Sequence, residues 1–251
     1  MNYYGHTDIG NIRANNEDSF AIKILDENYI VSVVADGMGG HKGGKEASSF
    51  AASEFVRIFE ENASAFINYS EKQKHNFLKN AVIKINKQLY KMSQKDEALS
   101  GMGTTLVACV IHNSAYYIAN VGDSRLYTVS TKINQITKDH SFVSELVDMG
   151  VITKEQAKNH PNKNVITRAL GTEASVEPDI YTGFLTKDDT VLICTDGLTN
   201  MVSDETILGI IKDSDDASFI SQKLVSLAKD NGGTDNITAV IIKNFAGGET
   251  R

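Results

Sequence analysis

The sequence contains no tryptophan, two prolines and two cysteines in 251 residues. With so few prolines, no proline-rich linker divides the chain, and no low-complexity stretch or internal repeat is visible. We therefore predict one domain over residues 1–245, followed by a short tail at 246–251. Cys109 and Cys194 lie inside apolar runs, TTLVACVI and TVLICT. This setting favours buried reduced thiols and a reducing compartment over a disulfide.

The sequence also lacks an excess of positive charge. Its 25 lysines and arginines against 32 aspartates and glutamates give a formal net charge of −7. This charge argues against a nucleic-acid or anionic-membrane surface, because both need a basic patch. No apolar stretch approaches the length of a membrane span, and the opening residues MNYYGHTDIG lack the features of a secretion signal. We therefore expect a cytoplasmic monomer that binds neither nucleic acid nor membrane.

The hydrophobic pattern changes several times between the period of a strand and the period of a helix. Apolar runs bounded by turn residues predict strands over residues 20–25, 29–35, 104–111, 115–121, 124–130, 190–195 and 237–243. Apolar residues spaced at i, i+3 and i+4 predict helices over residues 44–61, 77–89, 142–149, 153–159, 204–212 and 216–229. Since the short links HNS and GDS make antiparallel hairpins, the pattern indicates an α+β fold of antiparallel sheets covered by helices.

Residues 34–44, VADGMGGHKGG, place Asp36 at the end of an apolar run, followed by five glycines within eight residues. A phosphate-binding loop is one interpretation, because residues 39–46, GGHKGGKE, nearly match the pattern G-x-x-x-x-G-K-[ST]. However, Glu46 stands where a hydroxyl would bind magnesium, and its carboxylate would repel phosphate. The alternating βαβ order of a nucleotide-binding sheet is also missing. A nucleotide-binding kinase is therefore the less favoured alternative.

A metal site is the other interpretation. Four aspartates lie at the end of an apolar strand or beside a glycine turn: Asp36, Asp123, Asp196 and Asp235. For any one of them a solvated turn is the commoner explanation, but the same setting recurs four times. Unpaired buried charge is costly, and a divalent cation is the usual compensation. Oxygen ligands favour Mg²⁺ or Mn²⁺ over zinc, and no EF-hand loop is present.

Eight stretches between residues 7 and 238 together resemble the type 2C metal-dependent Ser/Thr protein phosphatases (the PPM family), in their compact bacterial form. In chain order they are TDIGNIRANNEDSF, VADGMGGHKGG, GMGTTLVA, ANVGDSRLY, ITKDHS, RALG, LICTDGLT and GGTDNIT. The resemblance implies a four-layer α-β-β-α sandwich, with a dinuclear metal site between two antiparallel sheets. It also implies metal-dependent hydrolysis of phosphoserine and phosphothreonine in proteins. The expected partners are phosphorylated proteins, including a Ser/Thr protein kinase that the enzyme would oppose.

The resemblance further implies a role for each aspartate in binding two Mn²⁺ or Mg²⁺ ions. Asp36 would bridge the two ions, the backbone carbonyl of Gly37 would complete one shell, and Asp196 and Asp235 would hold the second ion. A hydroxide bridging the pair would attack phosphorus in line. Asp123 would help Asp196 to bind a third, weakly held ion.

Arg13 matches the family's phosphate-binding arginine, and a guanidinium fork suits two phosphate oxygens. Glu17 and Asp18 would act through metal-bound water. Met38 is a departure from the family, because many eukaryotic members have a histidine there that is proposed as the general acid. His41 lies three residues on. We hypothesise that it donates the proton to the leaving alcohol, with a surface loop residue as the alternative.

Residues 140–177 correspond to the family's variable flap, for which covering the sheet edge and selecting the substrate both stay open. A catalytically silent relative that binds metal and signals by docking is the alternative function. Retention of Arg13 and of every ligand aspartate argues against it.

Overall fold

The computed structural model describes residues 1–39, 43–243 and 245. The strands found among these residues are β1 (Asn2–Asp8), β2 (Ser19–Asp26), β3 (Tyr29–Ala35), β4 (Gly37–Met38), β5 (Gly103–Thr104), β6 (Leu106–His112), β7 (Ala115–Val121), β8 (Arg125–Val129), β9 (Ile133–Gln135), β10 (Asp179–Phe184), β11 (Thr190–Cys194) and β12 (Ile237–Lys243). The helices found there are α1 (Gly43–Ile67), α2 (Glu71–Lys95), α3 (Phe142–Asp148), α4 (Lys154–Lys158), α5 (Asp196–Thr199), α6 (Asp204–Lys212) and α7 (Ala217–Asp230).

Two antiparallel sheets form the centre of the molecule. The strand order is β1-β12-β11-β8-β9 in the first sheet and β10-β7-β6-β3-β2 in the second, and β4 and β5 form a separate short pair. Apolar side chains from both sheets, among them Ile30, Val107, Ile193 and Val240, are fully buried in one cluster between them. Burial of apolar surface on this scale is the main term that stabilises the fold.

Helices cover the outer face of each sheet. The apolar faces of α1 and α2 share a buried cluster with the second sheet, including Phe55, Phe59 and Leu89. The rings of Phe55 and Phe59 stack with centroids 4.8 Å apart. Helices α6 and α7 share a second cluster with the first sheet. The predicted four-layer α-β-β-α sandwich is confirmed.

The structure corrects the predicted elements at several points. Strands β1 and β10 were not predicted, because both are edge strands of half-buried and exposed residues that mix polar, glycine and aromatic side chains in place of a continuous apolar run. Helices α1 and α2 are longer than the predicted segments, and α2 begins with a capping contact in which Gln73 Oε1 accepts from the backbone N–H of Ser70 at 2.9 Å. Among the described residues, none of the helices has the length and apolar character needed to cross a membrane.

Candidate metal centre

Asp36 follows directly on the seven buried residues of β3. Its backbone N–H donates to Thr105 Oγ1 at 2.9 Å, and its carbonyl accepts from the Thr105 N–H at 2.8 Å and from Thr104 Oγ1 at 2.9 Å. The predicted strand at 104–111 is therefore interrupted at Thr105, which lies between β5 and β6. The backbone N–H and the hydroxyl of Thr105 bind the backbone of Asp36. This bonding fixes the backbone of Asp36, and the residue lines a cleft.

The glycines after Asp36 allow close approach of backbone segments. A Cβ at Gly37 would lie 2.2 Å from the carbonyl oxygen of Gly44 in α1 and 2.7 Å from the carbonyl oxygen of Glu17. A Cβ at Gly44 would lie 2.0 Å from Oε2 of Glu17. Only glycine fits at both positions, so here the glycines serve packing between β4, α1 and the segment carrying Glu17. His41, the hypothesised general acid, lies outside the described residues.

The other aspartates lie at corresponding strand ends. Asp123 follows β7 in the second sheet, Asp196 follows β11 in the first sheet, and Asp235 precedes β12. Together with Asp36 they line a cleft of ≈ 430 Å³. Further residues lining this cleft include Arg13, Glu17, Gly37 and, from the predicted flap, Asn164 and Ile166. Since the two sheets each supply two aspartates, the cleft lies at one end of the space between them.

Burial and mutual repulsion raise the pKa values of these carboxyls. Burial raises the pKa of Asp36 well above its usual range, and the charges of Asp18, Asp196, Asp123 and Asp235 raise it further. Burial and then Asp196 raise the pKa of Asp123 to about 8, and burial and then Asp235 raise that of Asp196 to about 6. So many carboxylates are costly to ionise together without a cation.

Asp18 offers a further oxygen to this group. Its side chain is 1% exposed, and Oδ2 accepts from Thr195 Oγ1 at 2.9 Å and from Thr238 Oγ1 at 2.6 Å. Within the described residues Oδ1 is buried without a hydrogen-bond partner. Burial raises the pKa of Asp18 to about 7, with added repulsion from Asp196 and Asp235. An orphaned carboxylate oxygen beside other carboxylates fits a hydrated divalent cation.

Arg13 pairs with one of the aspartates. Its Nη2 donates to Asp235 Oδ2 at 2.8 Å, with both side chains partly exposed, and Asp196 Oδ2 accepts from Asn200 Nδ2 at 3.0 Å. In the part of the chain that the structure describes, no three His, Cys, Asp or Glu side chains are drawn together into a compact ligand group. The aspartates therefore share a cleft and repel one another, and two of them have polar partners of their own.

Sequence reasoning did not single out Asn236 as a site residue, although it stands next to Asp235. Its Oδ1 accepts from the N–H of Glu17 at 2.8 Å, and its Nδ2 donates to the carbonyls of Ile9 at 3.0 Å and Asn15 at 2.9 Å. It thereby fixes the segment that carries Arg13 and Glu17 against the segment that carries Asp235. Asn236 lies in the motif GGTDNIT, which was noted for Asp235. Its role could not be predicted because its partners are backbone groups that are distant in sequence.

The C-terminal end of the flap is held by Asn86 of α2, which is 1% exposed. Asn86 Oδ1 accepts from the N–H of Gly171 at 2.8 Å, and Nδ2 donates to the carbonyl of Glu173 at 3.0 Å. Leu170 and Thr104 exchange two backbone hydrogen bonds, of 2.8 and 3.1 Å. Because Thr104 also donates to the Asp36 carbonyl, a chain of hydrogen bonds links α2 to the cleft.

Comparison with known proteins identifies the family. A family model described as protein phosphatase 2C matches residues 11–236. The serine/threonine phosphatase Stp of Listeria welshimeri is 39% identical over 238 residues, which cover 94% of this chain and 93% of the relative. The structure of the serine/threonine phosphatase Stp1 from Staphylococcus aureus superposes with a TM-score of 0.88 at 39% identity, covering 96% of this chain and 94% of that one.

A further structural neighbour contains metal. The catalytic domain of the serine/threonine protein phosphatase PstP, in complex with two manganese ions, superposes with a TM-score of 0.81 at 34% identity. The superposition covers 95% of this chain and 96% of that chain.

The chain belongs to the protein phosphatase 2C family. It is an enzyme of the protein-serine/threonine phosphatase class, and the resemblance found in the sequence motifs is confirmed. The glycine loop is therefore part of a phosphatase, which sets the nucleotide-binding kinase aside.

Proposed function

We propose that this protein hydrolyses phosphoserine and phosphothreonine in other proteins with the help of bound Mn²⁺ or Mg²⁺. The observation that carries the proposal is the convergence of Asp36, Asp123, Asp196 and Asp235 on one cleft that Arg13 also lines. An anion such as a phosphate group cannot approach so many carboxylates unless cations neutralise them. Arginine, in turn, is the side chain best suited to hold two phosphate oxygens.

The donor set suits two ions. Asp36, Asp196, Asp235 and the carbonyl of Gly37 would hold them, and Asp123 would contribute to a third, weakly bound ion. When bound, such ions lower the pKa of water and clamp the oxygens of an in-line displacement at phosphorus. We assign to Asp18, with its orphaned Oδ1, the role of accepting a hydrogen bond from a metal-bound water, and Glu17 would also act through metal-bound water.

Arg13 would bind the phosphate group. Its pairing with Asp235 keeps the guanidinium at the mouth of the cleft, where a substrate phosphate could compete for it. Charge-assisted bidentate contacts of this kind are stronger than neutral hydrogen bonds. Met38, which lines the cleft, has no proton to donate. The protonation of the leaving alcohol is therefore assigned to His41, as hypothesised from the sequence, with a surface loop residue as the alternative role of this histidine.

The proposed setting is the cytoplasm, where a Ser/Thr protein kinase would supply the phosphorylated substrates. Both cysteines are buried as free thiols, and a reducing compartment keeps thiols in that form. The opposing kinase follows from the reaction itself, because a protein phosphatase acts only on what a kinase has modified.

The first test is phosphate release from a phosphothreonine peptide in the presence of Mn²⁺ and in EDTA. We expect the wild type to release phosphate in Mn²⁺ but not in EDTA. Asp196→Ala should release no phosphate in either condition. Asp204→Ala, which changes an exposed aspartate in the first turn of α6, is the matched control and should retain full activity. No release from folded, Mn²⁺-loaded protein would favour the catalytically silent docking relative.

A further inference from the structure

Helix α2 differs in charge from the rest of the protein. Its 25 residues contain seven lysines and one glutamate, although the whole chain has 25 basic and 32 acidic residues. Outside α2 the chain therefore carries 18 basic and 31 acidic residues. The net charge of −7 argued against a basic surface, but it is a sum over the whole chain. Helix α2 is positively charged, although the rest of the molecule is acidic.

Three of these lysines form what we call the basic face of α2: Lys84, Lys87 and Lys91. Positions i, i+3 and i+7 lie on one side of a helix, and all three side chains are exposed. They line a cavity of ≈ 460 Å³ together with Asn80, Ile83 and Gln88. The three lysines thus surround a surface depression with a single apolar residue among its walls.

The charge of this face is only partly neutralised. Lys84 Nζ lies 3.7 Å from Glu54 Oε1, and Glu54 is already paired with Arg57 at 2.6 Å. In the described part of the chain, neither Lys87 nor Lys91 forms an ion pair. The Oε1 atom of Gln88 is buried and has no hydrogen-bond partner among the described residues. The cavity therefore offers ammonium groups to an anionic ligand, whereas this amide oxygen is closed to solvent.

We propose that the basic face of α2 docks an Asp- or Glu-rich segment of the phosphoprotein substrate. Opposite charges across an interface steer encounter and fix register. Lys84 to Lys91 span roughly 10 Å at 1.5 Å per residue, which matches about three residues of an extended peptide.

An anionic membrane is the less favoured occupant. Helices that bind membranes through lysines also present large apolar side chains to the lipid. The exposed large hydrophobic residues among the described ones include none from α2. The acidic remainder of the molecule would also be repelled by anionic lipid.

The basic face belongs to the same helix that supports the flap. Asn86 binds the backbone at Gly171 and Glu173, and Lys79 pairs with Glu177. A segment docked on α2 is therefore held on the element that anchors one wall of the catalytic cleft. The inference rests on the proposed function in naming the substrate as the partner, whereas docking itself requires no turnover.

The test uses a fluorescein-labelled peptide of twelve glutamates and measures its anisotropy with the Mn²⁺-loaded protein. We expect salt-sensitive binding to the wild type and at least tenfold weaker binding to the variant Lys84→Glu, Lys87→Glu, Lys91→Glu. The matched control, Lys187→Glu, Lys212→Glu, Lys223→Glu, makes the same charge change at exposed lysines elsewhere and should bind within about twofold of the wild type.

A second measurement connects docking to catalysis. With para-nitrophenyl phosphate all three proteins should have the same kcat/KM, which also shows that the variants fold. With a phosphothreonine peptide that carries an acidic tract, kcat/KM should fall about tenfold in the α2 variant only. Equal peptide binding by both variants, absence of binding to the wild type, or binding to phosphatidylglycerol vesicles without binding to the peptide would overturn the proposal. Peptide binding without any phosphate release would overturn the proposed function and leave the docking site intact.

Discussion

Arg13 and Asp235 form an ion pair of 2.8 Å at the mouth of the cleft, across 222 positions of the chain. The guanidinium proposed to bind phosphate thus contacts a carboxylate proposed to bind metal. The charges of Asp235, Asp36 and Glu17 raise the pKa of Arg13 against the effect of burial, so the arginine stays charged. It acts as a counter-ion to the acidic cleft, and a cation bound by Asp235 would release it to bind phosphate.

Removing the arginine should therefore lower activity without weakening the binding of metal. In Arg13→Ala we expect kcat/KM to fall by roughly 10- to 100-fold, since a charge-assisted contact is worth about 1.5–3 kcal/mol. Mn²⁺ affinity, measured by calorimetry, should stay equal or become tighter because Asp235 loses its competitor. Arg13→Lys should recover only part of the activity, since lysine lacks the planar fork. Weaker Mn²⁺ binding in Arg13→Ala would contradict this account.

Asp123 should affect turnover more than the binding of the first two ions. After burial, the charge of Asp196 is the main cause that raises the pKa of Asp123, and the charge of Asp123 in turn raises the pKa of Asp36. In Asp123→Ala we expect calorimetry to show two bound ions, while kcat falls by about tenfold or more. Asp204→Ala is again the control. Complete loss of metal binding would place Asp123 among the main ligands.

The stability of the metal-free protein should fall as pH rises. An unfolded aspartate has a pKa of about 3.9, whereas the folded protein raises those of Asp196, Asp18 and Asp123 to about 6, 7 and 8. The folded state therefore binds more protons than the unfolded state between about pH 4 and pH 8, and stability decreases across that window.

This pH dependence can be measured by thermal unfolding in EDTA and in Mn²⁺ at pH 5, 6.5 and 8. The melting temperature in EDTA should decrease with pH, and the stabilisation by Mn²⁺ should be largest at pH 8, where the carboxylates are ionised. Asp123→Asn should flatten the upper part of the EDTA curve. A melting temperature in EDTA that stays constant or rises over this range would show that folding does not raise the pKa values of these carboxyls.

Loss of Asn86 should loosen the flap. Asn86→Ala leaves the Gly171 N–H and the Glu173 carbonyl without their partner, which should cost about 1–3 kcal/mol of stability. We expect faster proteolytic cleavage within residues 140–177 and a several-fold decrease in kcat/KM. Asn86→Asp keeps the acceptor for Gly171 and should lose less. Asn76→Ala, an exposed position on the same helix, is the control, and equal cleavage rates in all variants would argue against a clamp.

Strands that cross the core could be predicted from sequence, because burial on both faces makes them continuously apolar. β3, β6 and β12 are buried over nearly their whole length, and their bounds agree with prediction within a few residues. β1 and β10 could not be predicted in this way. These two segments form strands because they pair with β12 and β7, respectively. Such pairing does not require a regular pattern of apolar residues in the segment itself.

The same contrast applies to the candidate site. Asp36, Asp123, Asp196 and Asp235 stand out because the same setting, an aspartate at the end of an apolar strand or beside a glycine turn, recurs four times. Asn86 and Asn236 do not, because they bind backbone atoms that are distant in sequence; Asn236 and Glu17 are 219 positions apart. A side chain that hydrogen-bonds to distant main-chain atoms is positioned by the fold. No local sequence motif therefore identifies such a residue.

The pairing of β1 with β12 also has a consequence during protein synthesis. All seven residues of β1 pair with residues 237–243. During translation β1 therefore has no pairing strand until almost the entire chain has been synthesised. Contacts so far apart slow folding. Asp235 emerges just before β12, which means that the last ligand of the proposed metal site and the strand that completes the first sheet arrive together. A partly translated chain therefore contains Asp36 and Asp123 but has no assembled cleft.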